Sequence, residues 1–568
     1  MFAMPDQRGT EADSKRRTYY SAALRTTAEQ PRSKGGRRLV GALAVNTAIF
    51  SAATGVSRLV GLAREVVASS YFATSAPFSA FTLANQIPNL VSNLFAQAAL
   101  SAAFVPVFTE LLQRGRRREA FELASSLFWI MLLGLGLLTV VFIGAAGVVM
   151  PILAGPKFNH ATTSLLVGLS RVLFPVVLIL GLNGLLVGIL QSYDHFAIPA
   201  ISPAVWNVVI LAGLIGLRPL FPGGYEHGNE LYAYAVAVLV ATAVQLALAF
   251  AALRRIDFRL SFKVRFDDPR VRRVFTLMLP VTIGLGIVNL DQLINSAFGT
   301  LVSAEAPRAI EAAFRIYMLP QGLFSVAVAT VLFPTLSRMA ADRQPAEMRR
   351  LLGRGMRQIN LLLIPAAAFI LVLSTPIVRL LYQHGAFHAH STKLVSTALF
   401  WFGVSLPFGG LNLLLTRTFF AVQRPWIPTK LAAVNIVVDA IVSIALYRPL
   451  GIAGLVIGTA VANAVMTALQ LHRLRIGFNG RLEGRQTTMI TARILIASGV
   501  LAGSAYATWA VLHALFGEGL FGQLVSVGGA LVVGGFLYGR AVLAMRVPEA
   551  HQVVALLRER LLGLRAEP

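Results

Sequence analysis

The sequence predicts an all-α polytopic membrane protein of about fourteen transmembrane helices, set out as two pseudo-symmetric six-helix lobes plus two extra C-terminal helices. Three observations carry that prediction. The 568 residues are 56% hydrophobic and only 13% charged, about half the charge fraction of a soluble domain. Apolar runs long enough to cross a bilayer as helix, which takes about 20 residues, recur along the whole chain. Lys and Arg outnumber the acids to give a net charge of +25, yet they fall in short tracts between the apolar runs. That distribution marks membrane topology and argues against a nucleic-acid surface.

Taken in order, the runs occupy about 41–72, 76–110, 120–154, 162–191, 197–217, 230–253, 272–301, 307–337, 355–382, 392–422, 426–447, 450–471, 488–513 and 521–545. Basic tracts lie before the first run, after the second (RGRRR, 114–118), after the sixth (RRIDFRLSFKVR, 254–265), and again after the eighth, tenth and twelfth. The intervening loops hold only isolated cations: Lys157, Arg218, Arg308, Lys393 and Arg448. Even-numbered exits are therefore expected to be cytoplasmic, with both termini inside. Residues 1–38 (DSKRRTYY, QPRSKGGRR) are polar and basic, read as a disordered cytoplasmic tail and not as a cleavable signal. Residues 39–255 then form an N-lobe and 269–476 a C-lobe. Residues 487–546 hold helices thirteen and fourteen, and 547–568 form an amphipathic helix expected to lie along the inner leaflet.

The chain also matches itself. GLNGLL begins at Gly181 and GLNLLL at Gly410, an offset of 410 − 181 = 229. The same offset carries Phe158 onto Phe387, Thr163 onto Thr392, and Ile198-Pro199 onto Ile427-Pro428. A six-span unit repeated once, with both copies facing the same way, implies parallel repeats and a cleft between halves. Chemistry-bearing motifs do not compete with this reading. There are no cysteines, and no HExxH, Walker A or dinucleotide-binding glycine pattern.

Polar residues inside apolar runs are then the informative ones. TGVSRLVGLAREVV (54–67) places Arg58, Arg64 and Glu65 within the first run. An arginine at mid-bilayer on an isolated helix costs at least about 2.5–3.5 kcal/mol, so it persists facing protein or a watery interior. Six residues of regular helix separate Arg58 and Arg64 by about 120°, so both meet one cavity only if it is wide or the helix distorts. Arg58 and Glu65, seven apart, share a face on which they can pair. In the second half, Asn435 and Asp439 share a face of the eleventh run, Asp291 and Asn295 a face of the seventh, and Thr459 lies in the twelfth. Those oxygens suit a sodium ion or a proton relay, or a structural hydrogen-bond network. His384, His388 and His390 are read as an outer loop and not as a metal site.

SRLVGLARE, IPNLVSNLFAQAALSAAFVPVFTE (87–110) and FRIYMLPQGLFSVAVATVLFPTLSR (314–338) resemble the MurJ (MviN) family of bacterial lipid II flippases, within the superfamily of multidrug, oligosaccharidyl-lipid and polysaccharide exporters. The likeness runs from about residue 40 to the end. It implies a non-enzymatic transporter in the bacterial cytoplasmic membrane that moves an undecaprenyl-pyrophosphate-linked peptidoglycan precursor, lipid II, from inner to outer leaflet by alternating access. It places Arg58 and Arg64 from one lobe and Arg315 from the other around the pyrophosphate, because a guanidinium fork grips phosphate oxygens bidentately. Asn89 matches the family too and would bond sugar or peptide, or else cap a helix break. The two last helices would hold the lipid tail. Some relatives carry a sodium site built from the seventh, eleventh and twelfth spans, so no cofactor is expected beyond sodium or proton coupling.

Departures from the family pattern point to a cavity less densely charged than usual. The family has an acid where this chain has Ser79, an arginine at Ser92, a glutamate at Gln97 and an acid at Met318. Two other functions stay open: a flippase for another polyprenyl-linked oligosaccharide, and a non-transporting scaffold for cell-wall synthesis proteins. Expected partners are the glycolipid, membrane lipids and cell-wall synthesis proteins, with no nucleic acid.

Overall fold

The computed structural model describes residues 55–92, 99–193, 195, 197–221, 228–258, 260–262, 267–479, 482–552 and 554. The 1–38 tail and most of the 547–568 segment lie outside the described residues. Helix α1 spans 55–72. It is followed by α2 (Ala76–Ser92), α3 (Ala99–Gln113), α4 (Arg117–Leu153), α5 (His160–Leu173), α6 (Pro175–Ser192), α7 (Ala197–Leu217) and α8 (Glu230–Leu253). The second half holds α9 (Pro269–Val302), α10 (Ala306–Pro320), α11 (Val326–Ala341), α12 (Pro345–Tyr382), α13 (Ala389–Ala421), α14 (Trp426–Leu450) and α15 (Ile452–Gly477). Helices α16 (Gly484–Phe516) and α17 (Leu520–Ala544) complete the bundle. No strand occurs among the described residues.

Eleven helices among the described residues are long and apolar enough to cross a membrane. Helix α4 shows why. Leu133, Leu137, Val140, Val141, Val148 and Ile152 are all exposed on it, an outward face that only lipid would cover. Local chemistry sets the ends. Asn159 caps α5 by accepting from the Thr162 N–H at 2.8 Å, and Asp268 caps α9 the same way from Arg270, with Pro269 as the first helical residue.

Three apolar cores organise the bundle. One centres on α10 to α13, with Ile310, Leu363, Leu399 and Leu414. Two lie in the first half, around Phe104, Leu186 and Ile189, and around Phe78, Leu166 and Tyr234. The start of α9 (Val271, Val274, Met278) packs into the first-half core, while its later residues meet the second half. Helices α16 and α17 pack on each other and on α12 through Ile364, Ile494 and Val542. Val547 and Ala550 join that cluster, and Glu549 pairs with buried Arg357. The described start of the C-terminal segment thus packs on protein. Its carboxylate supplies the counter-charge that Arg357 needs once buried.

The repeat has a packing basis. A methyl at Gly181 would sit 2.3 Å from Leu135 Cδ1, and one at Gly410 would sit 2.1 Å from Leu363 Cδ1. Both repeat-related glycines let a helix approach closely, and Asn183 and Asn412 beside them are both buried.

Candidate functional site

The spans that bear the arginines are not uninterrupted helices. Between α10 and α11 the chain makes a π-helical turn, Gln321–Ser325, directly after Pro320. Proline has no N–H to give the carbonyl four residues back, which loosens the ladder there. Gly322 in that turn gives the Arg58 guanidinium room: a methyl there would lie 2.9 Å from its Nη1. An arginine of the first half therefore rests against backbone of the second.

Around this contact lies a cavity of about 610 Å³. Arg58, Arg64 and Glu65 from α1 line it, with Asn89 from α2, Trp206 from α7 and Arg308, Glu311 and Arg315 from α10. Four arginines and two glutamates give its described wall an excess of positive charge. Arg64 lies 5.2 Å from the Trp206 ring centroid, and Arg308 lies 4.0 Å from that of Phe78, so aromatic faces share the work of holding buried cations. Phe81 and Tyr234 stack at 4.4 Å on the same wall.

Glu65 knits the charges together. It is 2% exposed and bonds the Arg308 guanidinium, while Arg315 Nε and Arg64 Nη2 approach its other oxygen at 3.5 and 3.9 Å. Arg308 also donates to Ser69 Oγ at 2.8 Å, and its backbone N–H reaches Ser79 Oγ at 3.3 Å. Glu311 takes Arg315 Nη2 at 2.7 Å. The Nε atoms of Arg64, Arg308 and Arg315 are buried without a hydrogen-bond partner. Unsatisfied guanidinium donors at a cavity wall suit an anionic, oxygen-rich guest.

The Glu65–Arg308 pair belongs to a seal. At the end of the bundle bearing the 73–75, 303–305 and 383–388 turns, Thr74 Oγ1 and Ser391 Oγ are 2.8 Å apart. Ala386 N–H donates to Ser70 O and Gly155 N–H to Thr300 Oγ1, each at 2.8 Å. At the opposite end, rich in arginine, the halves meet through the partly exposed pairs Arg270–Glu119 and Arg273–Glu110, at 2.7 and 3.5 Å. The polar contacts that close one end are buried; those at the other are solvated, beside the apolar packing of Val271, Val274 and Met278.

The family model described as lipid II flippase MurJ matches residues 68–527. The chain belongs to that family. A probable lipid II flippase MurJ of Rhizobium tropici is 30% identical over 458 residues, covering 79% of this chain and 83% of its own. A lipid II flippase MurJ of Burkholderia cenocepacia is 30% identical over 425 residues, 74% of this chain and 81% of its own. Among solved structures, a lipid II flippase MurJ in an inward-closed conformation matches with a TM-score of 0.72 at 22% identity, over 87% of this chain and 97% of its own. A multidrug resistance MATE transporter follows the same fold at a TM-score of 0.61 and 15% identity, over 74% of this chain and 94% of its own.

Within this MurJ-family chain, Arg58, Arg64, Arg315 and Asn89 meet at one cavity, although they come from three helices and both halves. Two sequence expectations are corrected. Glu65 pairs with Arg64, Arg308 and Arg315 instead of Arg58, whose guanidinium lies against Gly322. Arg308, read as an isolated loop cation, is 2% exposed inside α10, because the helix begins at Ala306 and carries the side chain into the bundle. Its signal was present in the spacing: seven residues before Arg315 places both on one helical face. Among the departures from the family pattern, Met318 lines the cavity and Ser79 is fully buried beside Arg308. The Ser92 side chain and Gln97 lie outside the described residues.

The second polar set also assembles in part. Asn295 Nδ2 donates to Asp439 Oδ2 at 2.9 Å, and Thr459 Oγ1 donates to the same oxygen at 3.3 Å. Ser443, not foreseen, donates to Asp439 Oδ1 at 3.0 Å. Asn435 Nδ2 is buried without a hydrogen-bond partner, and the side chain of Asp291 lies outside the described residues. Of the histidines, His384 Nε2 is 3.0 Å from Leu380 O and His390 Nε2 is 2.9 Å from Glu305 Oε2.

Proposed function

We propose that the chain flips lipid II, an undecaprenyl-pyrophosphate-linked peptidoglycan precursor, from the inner to the outer leaflet of the bacterial cytoplasmic membrane. One observation carries the reading: guanidinium groups from both halves line a single cavity, and three of them keep a buried Nε without a hydrogen bond. A diphosphate entering there takes over donors that Glu65 and Glu311 only partly satisfy. The arginine-rich end faces the cytoplasm in this reading, so the cavity serves the inner leaflet while the buried seal closes the outer face. Release outside then requires Glu65 and Arg308 to part, and the diphosphate's charge can replace Glu65 as counter-ion while they do. The polyprenyl tail stays in lipid along α16 and α17. No covalent step is needed.

Resetting the empty carrier falls to the membrane potential or to an ion at Asp439. One carboxylate ringed by Asn295, Thr459 and Ser443 fits a monovalent cation or a proton better than a thiolate- or imidazole-seeking metal, and the orphaned Asn435 amide adds an oxygen if it turns. No three His, Asp or Glu side chains gather as a metal group among the described residues.

The test replaces the cell's own copy with Arg58→Ala, Arg64→Ala or Arg315→Ala chains that insert normally, and measures on which leaflet lipid II resides. Trapping on the inner leaflet in each case is the expected result. Normal lipid II display with another lipid-linked glycan accumulating would transfer the assignment to that glycan. Full function of all three variants would leave only a scaffold role.

A further inference from the structure

A second, smaller cavity of about 90 Å³ lies away from the central one, at the sealed end of the bundle between α12, α16 and α17. That volume holds several waters or one phosphate-sized group, since a single water needs about 10–15 Å³. Thr375, Arg379, Trp509, His513, Gln523 and Ser526 line it. Arg379, His513 and Gln523 lie within the terminal turn or so of their helices, and Thr375, Trp509 and Ser526 about two turns in, near the depth at which lipid headgroups sit and which tryptophan favours.

Its polar atoms are left unsatisfied in a definite pattern. Arg379 Nε and His513 Nδ1 are buried without a hydrogen-bond partner, and so is the acceptor Gln523 Oε1. Gln523 is oriented, because its Nε2 donates to Glu518 O at 2.7 Å. The His513 ring is fixed by stacking on Trp509, at 5.1 Å and 13°. Arg379 Nη1 pairs with Glu518 Oε1 at 3.3 Å, and that carboxylate is 78% exposed at the rim. An unpartnered guanidinium donor, an unpartnered amide acceptor, an imidazole nitrogen that donates in the Nδ1–H tautomer, and a rim carboxylate make a site for a zwitterion, not for a simple anion. Around it Leu515, Phe516, Leu520, Phe521 and Leu524 are exposed apolar side chains, a surface for acyl chains.

We propose that this cavity binds the headgroup of a membrane phospholipid in which a primary ammonium follows the phosphate. Arg379 and His513 hold the phosphate oxygens, while Gln523 Oε1 and Glu518 receive the ammonium. The lipid so held would fix the outer junction of α16 and α17 with α12, and it is independent of what the central cavity carries.

The full chain is released from nanodiscs containing phosphatidylethanolamine and phosphatidylglycerol in equal amounts, and retained lipid is counted by native mass spectrometry. One phosphatidylethanolamine is expected to be retained, with Arg379→Ala weakening it about tenfold, the loss of one charge-assisted hydrogen bond. Gln523→Leu, which leaves the Arg379–Glu518 pair intact, is expected to erase the preference over phosphatidylglycerol even if Arg379→Ala fails to fold. Inorganic phosphate is expected not to compete, because it lacks both the ammonium and the acyl chains. Equal retention of phosphatidylglycerol by the unaltered chain, retention unchanged in Gln523→Leu, or displacement by inorganic phosphate would each overturn the proposal.

Discussion

Glu65 is a carboxylate in an apolar helix, and its neighbours explain how it persists there. Three guanidiniums approach its two oxygens, so removing it takes the ion-pair partner from Arg64 and Arg308 and leaves Arg315 with Glu311 alone. Arg308 loses most, being 2% exposed with Glu65 as its only ion-pair partner among the described residues. Breaking a buried pair by deleting one member costs about 3–5 kcal/mol. Glu65→Gln is accordingly expected to lower the thermal midpoint of the purified chain, and Glu65→Gln with Arg308→Met to recover part of the loss. Melting curves in detergent check both, and a double variant no better than Glu65→Gln would mean that the pair does not carry the stability. Arg58 behaves differently, since it faces the cavity with no ion pair among the described residues. Arg58→Lys is expected to fold as well as the parent yet flip more slowly, because an ammonium cannot reproduce the bidentate fork. Arg58 and Arg64 were legible in the sequence because an arginine inside an apolar run demands an interior partner, and Arg315 through the family likeness. Arg308 was legible only in its spacing from Arg315, because it stands at the edge of its run, where hydropathy assigns a residue to the loop.

Helices were legible for a related reason: a span must be apolar over its whole length, and that leaves an unmistakable pattern. Their interruptions were not, because the π turn after Pro320 and the break at Phe174 alter only which carbonyl each N–H meets. Those interruptions matter, since the π turn places Gly322 under Arg58. The repeat predicts more at this scale. Gly181 and Gly410 mark close helix contacts in equivalent places, and a methyl at either would overlap a leucine. Gly410→Ala and Gly181→Ala are each expected to destabilise by about 1–3 kcal/mol through overpacking. Gly134, with nothing within 4 Å of its missing methyl, is the control. Gly134→Ala is expected to be neutral or mildly stabilising, because alanine is the better helix former by about 1 kcal/mol. Thermal midpoints moving together in all three variants would show that close packing does not distinguish these positions.

On the scale of the whole molecule, the two ends differ in what separating the halves would cost. The ion pairs across the arginine-rich end are ones that water already reaches and contribute about 0–1 kcal/mol, beside the apolar packing of Val271, Val274 and Met278. The sealed end is joined by buried groups, and parting them in a dry interface would leave donors and acceptors unpaired. Alternating access needs water or substrate to enter as that seal opens, so the seal is where transport can be stopped. The chain has no cysteines, which makes the experiment clean. Thr74 and Ser391 face each other across the seal with their hydroxyl oxygens 2.8 Å apart, and sulfurs in those places need only close to about 2.05 Å. Thr74→Cys with Ser391→Cys is therefore expected to form a disulfide on mild oxidation, to lose lipid II display when oxidised, and to regain it on reduction. Each single cysteine should be indifferent to the same treatment. Because the bridge stands outside the arginine cavity, the oxidised chain should still bind a diphosphate lipid from the cytoplasmic side. Transport that continued at full rate through a quantitatively crosslinked chain would show that the halves do not part at this end, and the inward-to-outward cycle would have to run by another route.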